Sequence, residues 1–284
     1  MRTLFLLFFC LILTTNMHSQ ANDAEALLYN VGIGGVFSTI GALINKKPNE
    51  QIGKVALKGF AQGSLGGFVT FGSKCVLREA QKKEDWKYIW GAKMMNAAGT
   101  SIKENAAMNR NFWKKWHINI GFNRIEFETN GKFRVNYKLM PIAFVYTIDA
   151  FLRYDSFLLN ESVKAGEFIF TTDLKSSGAF TYPGYIIVNS KYLDKTNYDY
   201  QTITHEIIHL YQSNDFSILN TYYQKTFDEF SKKNKTVSFL NKHLYLELHY
   251  IPLRALYGIE SKSATNYYDN FFEHEAGYFS NTLR

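Results

Sequence analysis

Two histidines four residues apart, with a glutamate beside the first, are the residues in this sequence best suited to chemistry. The segment is His205-Glu206-Ile207-Ile208-His209. Residues four apart lie on one face of a helix, so both imidazoles can reach one metal ion. Neutral imidazole is a zinc ligand, and a carboxylate beside the ion can take a proton from water that the metal has acidified. The spacing therefore predicts a zinc site with an open position for water.

The residues around this motif resemble the zincin metallopeptidases. Thr202 stands three positions before His205, uncharged residues flank the motif, no proline interrupts it, and Tyr211 follows two positions after His209. The resemblance covers residues 181–284. It implies that His205 and His209 bind Zn²⁺, and that Glu206 is the general base and proton shuttle in hydrolysis of a peptide or protein substrate.

The same family uses an edge strand before the active helix to align an extended substrate through backbone hydrogen bonds, as in strand addition. Residues 184–189, of sequence GYIIVN, fit that strand. An ordinary core strand explains their Ile and Val residues equally well, so both interpretations stay open.

The third zinc ligand is open among several downstream carboxylates. Asp215 occupies the ligand position of metzincins, but Gln212 replaces the glycine of that pattern, and no methionine follows the motif. Glu273, with Ala276 three positions later, resembles the ExxA segment of the glutamate zincins and is the favoured ligand. Asn270 and Glu273 also fit a helix N-cap pair, which is the alternative explanation.

Three further side chains are candidates for this site. Glu275 lies about 200° around a helix from Glu273, so only one of these carboxylates can face the metal. Glu247 lies in the alternating segment 243–249, where a solvated face is the simpler explanation. His249 in that segment is a candidate to stabilise the oxyanion of the transition state, as a His or Tyr does in related zincins.

The sequence before the motif shows two periodicities in turn, first that of a helix and then that of β-strands. Apolar residues at spacings of three and four predict a helix over residues 86–110. Two runs that alternate apolar and polar residues then flank Asn130 and Gly131, which is the pattern of a β-hairpin. The alternation slips near Asn123, and this slip predicts a bulge.

Shorter apolar runs and a return of helical periodicity complete the chain. Strands are expected at residues 157–160, 167–171 and 185–189, and helices from Asn197 onward. The order of helices, antiparallel strands and helices predicts an α+β fold rather than alternating βαβ units. Residues 111–284 are expected to form the zincin-like domain.

Residues 22–110 are expected to form a glycine-rich helical region. Gly59, Gly63 and Gly67 recur every four residues, so they share one helix face and let two helices approach closely. Residues 31–75 therefore suggest a close-packed soluble hairpin or a helical hairpin that associates with a membrane. The first apolar run is short and the second carries Lys58, which disfavours a membrane span.

Residues 1–21 have the features of a secretory signal peptide. Arg2 precedes an apolar run, and Ser19 and Ala21 are placed for cleavage. We therefore expect export to the periplasm, the cell surface or the medium. Cleavage near Ala21 would leave Cys75 as the only cysteine, so no internal disulfide is expected.

Composition and charge narrow the classes of function. With 46% hydrophobic residues among 284, the chain is not disordered as a whole. Its net charge of +7 comes from scattered basic pairs rather than one basic face, which argues against nucleic-acid binding. Two functions remain: an exported zinc-dependent hydrolase that cleaves peptide bonds, and a non-enzymatic cell-envelope protein. In the second, the glycine-rich hairpin binds a membrane or partner and the metal site is structural or vestigial.

Overall fold

The computed structural model describes residues 22–173, 178–192 and 196–283, without the side chains of residues 192 and 196–199. The expected signal peptide, residues 1–21, lies outside the described residues. The division into residues 22–110 and 111–284 stays a prediction.

Three long helices form the N-terminal part: α1 (Asp23–Ile44), α2 (Ile52–Lys83) and α3 (Trp86–Ala107). The side chains of Asn22 and Asp85 accept hydrogen bonds from backbone N–H groups at the starts of α1 and α3. These caps satisfy donors that have no partner within the helix. The helix predicted over residues 86–110 is confirmed.

Glycines let α1 and α2 touch along their backbones. A Cβ atom at Gly63 would meet the carbonyl oxygen of Gly34, and one at Gly67 would meet the carbonyl oxygen of Asn30. The glycine stripe therefore serves close helix packing, as expected. Among the described residues, only the helix Asp23–Ile44 is long and apolar enough to cross a membrane, a test that core helices of soluble proteins also pass.

A three-stranded antiparallel sheet follows, of order β1-β2-β3: β1 (Lys115–Ile120), β2 (Asn123–Glu128) and β3 (Arg134–Leu139). The hairpin predicted at Asn130-Gly131 is confirmed, with Gly131 at φ 94°. The predicted bulge near Asn123 is wrong. The chain reverses at Gly121, whose φ is 56°, so the slip in alternation marks a turn between two strands.

This sheet turns its charged face inward. Arg124 and Glu126 are the buried residues of β2, whereas Val135 and Tyr137 of β3 are 56% and 51% exposed. An antiparallel sheet with one covered face normally packs its apolar side on the core. Here the alternation is regular, but the polar side faces α3 and the C-terminal helices.

A second sheet has the order β4-β5-β7-β6 and is preceded by α4 (Pro141–Arg153). Its elements are β4 (Ser156–Phe157), α5 (Leu159–Ala165), β5 (Phe168–Thr172), β6 (Ala179–Tyr182) and β7 (Tyr185–Asn189). Strands β5 and β7 pair in parallel and the other pairs are antiparallel, so the sheet is mixed rather than wholly antiparallel as predicted.

Of the strands predicted here, those at 167–171 and 185–189 are confirmed. The strand predicted over residues 157–160 is wrong beyond Phe157, because α5 begins at Leu159 and the Ser162 hydroxyl ties it to β5 by accepting from Ile169 N. Strand β6 has no counterpart among the predictions.

Helices complete the chain, as predicted from Asn197 onward: α6 (Thr196–Asp215), α7 (Thr221–Lys233), α8 (Lys235–His243), α9 (Tyr250–Ser263) and α10 (Phe271–Ser280). Ile203 and Ile207 of α6 pack with Ile186 of β7 in the main core, while Ala150 of α4 packs with Tyr185 on the opposite face. The mixed sheet therefore lies between α6 and α4, and the α+β class is confirmed.

Candidate metal centre

Two helices, α6 and α10, bring the candidate ligands together. Asn270 caps α10 by accepting hydrogen bonds from the backbone N–H groups of Phe272 and Glu273. Ala276, one turn further, is fully buried where α10 packs on α6. Asn270 is thus an N-cap, and Glu273 in the first turn still points at the HExxH motif. The N-cap interpretation and the ligand interpretation of this segment are therefore compatible.

His205, His209 and Glu273 form one group that could hold a metal ion. Glu273 Oε2 lies 3.2 Å from His205 Nε2 and 3.3 Å from His209 Nε2. The three ligand atoms lie within 4.8 Å of one another, in a site where His205 and Glu273 are buried and His209 is half-buried. Two imidazole nitrogens and a carboxylate oxygen therefore face a common point.

A glutamine fixes the orientation of His209. The Gln212 amide nitrogen donates to Phe272 O at 2.8 Å and to Glu275 Oε2 at 2.9 Å, so its oxygen faces His209 Nδ1 at 2.8 Å. Nδ1 therefore carries a proton and Nε2 is left as the ligand atom. From the sequence, Gln212 was considered only because it occupies the glycine position of the metzincin pattern. Its spacing of three from His209, which places both residues on one helix face, could have indicated this contact.

Two hydroxyl groups fix the orientation of His205 in the same way. Its Nδ1 lies 3.4 Å from Ser280 Oγ and 3.4 Å from Thr282 Oγ1. The Ser280 hydroxyl donates to Ala276 O at 2.7 Å, so its oxygen is available to accept from His205. Both histidines thus turn Nδ1 to a polar neighbour and Nε2 toward Glu273.

The charges of the group are coupled. Burial would lower the pKa of His209, but its hydrogen bond to Glu273 and the nearby carboxylates raise that pKa to about 9. Burial would raise the pKa of Glu273, but hydrogen bonds from the two histidines and Tyr257 hold it well below the usual range. Without a cation, a proton on His209 balances the carboxylate, so a metal ion and that proton compete for one atom.

Glu206 lies beside this group without joining it. Its Oε2 accepts a hydrogen bond from Thr181 Oγ1 at 2.7 Å, and the same hydroxyl lies 2.9 Å from the Glu206 carbonyl oxygen. The residue is 6% exposed, and its charge contributes to the raised pKa of His209. The hydrogen bond therefore fixes the position of a carboxylate whose charge acts on His209, as a candidate general base requires.

Two tyrosines complete the surroundings of the ligands. Tyr257 OH donates to Glu273 Oε1 at 2.5 Å, which leaves Oε2 for the histidines. Tyr267 OH lies 3.5 Å from His205 Nε2, and its residue is 60% exposed. Desolvation and the charge of Glu273 raise the pKa of Tyr267, so its hydroxyl stays protonated at neutral pH and can donate a hydrogen bond. Sequence reasoning missed both residues, because no local pattern marks them.

Asp215 and Glu275 lie elsewhere, in a buried ion-pair network. Lys74 Nζ contacts Asp215 Oδ2 and Glu275 Oε1, each at 2.9 Å, and Lys103 Nζ contacts Asp215 Oδ1 at 2.6 Å. The two lysines belong to α2 and α3. Both carboxylates are therefore neutralised by the N-terminal helices and are not brought to the metal group.

Glu247 and His249 also lie apart from the ligands. Glu247 is fully buried and accepts hydrogen bonds from the backbone N–H groups of Ile142 and Ala143, at the start of α4. Desolvation raises the pKa of Glu247 to about 7. His249 Nδ1 contacts Asn220 Nδ2 at 2.9 Å. The solvated face expected for this segment is wrong at Glu247 and His249, which are buried, and the structure does not bring His249 to the ligand atoms.

The edge strand beside the motif is β6. Strand β7, residues 185–189, is buried at every position and lies between β5 and β6, so it is a core strand. The interpretation of residues 184–189 as the edge strand is therefore wrong. Thr181 on β6 holds Glu206, which makes β6 the strand next to the catalytic candidate. Its short length and exposed Phe180 gave no clear sequence pattern.

No protein-family model matches this chain, and neither curated proteins nor solved structures give a match. The chemistry of the site must therefore be inferred from its own residues.

Proposed function

We propose that this protein is an exported zinc-dependent hydrolase that cleaves peptide bonds. The observation that supports the proposal is the convergence of His205 Nε2, His209 Nε2 and a Glu273 oxygen, with Glu206 held beside them. Such a convergence needs residues 64 positions apart in sequence to meet, which a chance occurrence of HExxH would not require.

Zinc fits this donor set. Two imidazole nitrogens and one carboxylate oxygen are the protein ligands of many catalytic zinc sites, and they leave a fourth position for water or substrate. Both histidines also have hydrogen-bonded Nδ1 atoms, as metal-bound histidines usually do. When bound, zinc would act as a Lewis acid and lower the pKa of water to about 7.

The chain's own residues supply the proton transfers. Glu206 would take the proton of the attacking water and return it to the leaving amine. Tyr267, whose hydroxyl lies 3.5 Å from His205 Nε2, would donate a hydrogen bond to the oxyanion that forms on the peptide carbonyl. Thr181 would keep the Glu206 carboxylate in place through both steps.

The substrate would lie along β6. Within the described residues, β6 pairs only with β7, so its outer edge is available for backbone hydrogen bonds to an extended peptide. The Thr181 hydroxyl joins this strand to Glu206 at 2.7 Å. A peptide aligned on β6 would therefore present its carbonyl groups near the general base.

The test begins with the zinc content of the purified mature protein and with cleavage of casein and a peptide library. We expect one zinc ion per chain and activity that a chelator abolishes. Glu206→Gln should retain zinc and lose hydrolysis, because Gln keeps the shape but cannot accept the proton. Glu229→Gln, an exposed substitution on α7, is the matched control and should behave as the native protein.

The other outcomes decide against the proposal. Cleavage that survives Glu206→Gln would refute the mechanism. One zinc ion per chain with no cleavage of any peptide would instead favour a non-enzymatic envelope protein with a structural metal site. Carbonate extraction of cells tests the membrane association of residues 31–75, which stays a proposal.

A further inference from the structure

A second polar site lies away from the metal centre, on the inward face of the three-stranded sheet. A cavity of about 160 Å³ is lined by that sheet, by α3, and by the segment from Asn220 to Tyr245. None of the metal-ligand candidates lines it.

Arg124 is the central cation of this cavity. Its guanidinium donates from Nε to Glu126 Oε1 at 2.9 Å and from Nη2 to Glu104 Oε2 at 2.7 Å, and it lies 3.8 Å from the Tyr245 ring centroid. Its side chain is 2% exposed. Among the described residues, Nη1 has no hydrogen-bond partner. A buried guanidinium donor without an acceptor is costly, so this nitrogen requires an acceptor.

The carboxylates of the cavity are already engaged. Glu126 Oε2 pairs with Lys115 at 2.7 Å, and Glu104 Oε1 accepts a hydrogen bond from Tyr245 OH at 3.1 Å. Asp228 Oδ1 accepts from the side-chain amide of Asn241 at 2.9 Å. In the described part of the chain, none of these carboxylates hydrogen-bonds to Arg124 Nη1.

The walls carry more positive than negative charge. Four cationic side chains face three carboxylates: Arg110, Lys115, Arg124 and Lys138 against Glu104, Glu126 and Asp228. His117 adds no charge at neutral pH, because burial lowers its pKa to about 4. Within the part of the chain that the structure describes, Lys138 Nζ donates to the Asn241 carbonyl oxygen at 2.8 Å and forms no ion pair with a carboxylate.

We propose that this cavity binds a small oxyanion, a carboxylate or a phosphate, between Arg124 Nη1 and Lys138 Nζ. The geometry supplies a fixed guanidinium donor, an ammonium group and a net positive wall. Arg is the residue best suited to planar recognition of such oxygens.

Stability alone does not explain the inward charged face. Buried ion pairs are often no more stabilising than apolar residues of the same volume. This sheet nevertheless exposes Val135 and Tyr137 and buries Arg124 and Glu126. A binding site accounts for this inversion, because it needs the charges on the walls of a cavity.

Isothermal titration with inorganic phosphate and with succinate, at matched ionic strength in chloride, tests the proposal on the full mature chain. We expect one anion per chain and a raised melting temperature. Lys138→Met should weaken binding about tenfold or more, as expected for loss of a charged hydrogen bond. Lys132→Met, an exposed substitution in the adjacent hairpin, is the matched control and should leave affinity unchanged.

The two anions separate a phosphate site from a carboxylate site. Arg124→Met should abolish binding in protein that circular dichroism shows to be folded, and if that variant does not fold, Lys138→Met decides. Absence of binding by both anions would overturn the proposal. Binding of unchanged affinity in Lys138→Met would lie elsewhere, for example at the metal group, and would overturn it equally.

Discussion

The side-chain oxygen of Gln212 lies 2.8 Å from Nδ1 of His209, while its nitrogen lies 2.9 Å from Glu275 Oε2. Glu275 Oε1 in turn contacts Lys74 of α2 at 2.9 Å. A continuous chain of buried polar contacts thus links a candidate metal ligand to the glycine-rich helices. The N-terminal region is therefore part of the support of the metal group.

Replacing Gln212 tests this link at its first step. Gln212→Leu removes the acceptor for His209 Nδ1, so the imidazole loses its fixed tautomer and orientation. Loss of such an outer partner weakens metal affinity by about 10- to 100-fold. Competition for zinc with a chromogenic chelator measures the change. The control is Gln51→Leu, because Gln51 is exposed just before α2 and its side chain makes no capping hydrogen bond. Equal affinity of both variants would contradict the proposed orientation.

The motif was accessible to sequence reasoning because its residues are local. Glu273 was also found, through the ExxA pattern, although it lies 64 residues beyond His209. Asp215 and Glu275 could not be assigned, because their partner Lys74 is 141 and 201 residues away, respectively. A sequence shows that a carboxylate is present, but not which distant cation neutralises it.

In the sheets, too, local features were predictable from the sequence and distant contacts were not. Alternation correctly predicted the hairpin around Asn130 and Gly131, because strand period and turn chemistry are local. It carries no information about which face is covered, and here the charged side with Arg124 and Glu126 is buried. Strand β6 was missed because four residues, one of them 41% exposed, do not establish a period.

Loss of Lys74 should strongly destabilise the protein. Lys74→Met would leave Asp215 and Glu275 buried with one cation fewer, and breaking a buried pair in this way costs about 3–5 kcal/mol. Urea unfolding measures the free energy, with the exposed Lys82→Met as control. Adding Glu275→Gln to Lys74→Met should restore part of the loss. A single variant as stable as the control would show that the network contributes little.

Acid should destabilise the protein through buried neutral histidines. Burial lowers the pKa of His117 to about 4, from an ordinary value near 6.5. Between these values the unfolded chain binds a proton that the folded chain does not, so stability falls as pH falls from about 6.5 to 4. The difference corresponds to up to about 3 kcal/mol.

Replacing His117 separates this effect from the titration of carboxylates. His117→Gln should flatten the dependence of unfolding free energy on pH between about 6.5 and 5, where most glutamates stay charged. The exposed His243→Gln should leave it unchanged. The same slope in both variants would mean that His117 does not stay neutral in the folded protein.

Because α1 packs closely on α2, we expect alanine substitutions at two glycines to change stability in opposite directions. At Gly63 an added Cβ would meet the carbonyl oxygen of Gly34 and the Ser38 side chain, so the helices must move apart. Gly63→Ala should therefore lower the free energy of unfolding by about 1–3 kcal/mol, as overpacking does.

At Gly32, within α1, an added Cβ meets nothing within 4 Å. Gly32→Ala should raise that free energy by up to about 1 kcal/mol, because alanine favours a helix. Urea unfolding of the two variants measures the contrast, and a Gly63→Ala protein as stable as Gly32→Ala would show that α1 and α2 are not in backbone contact.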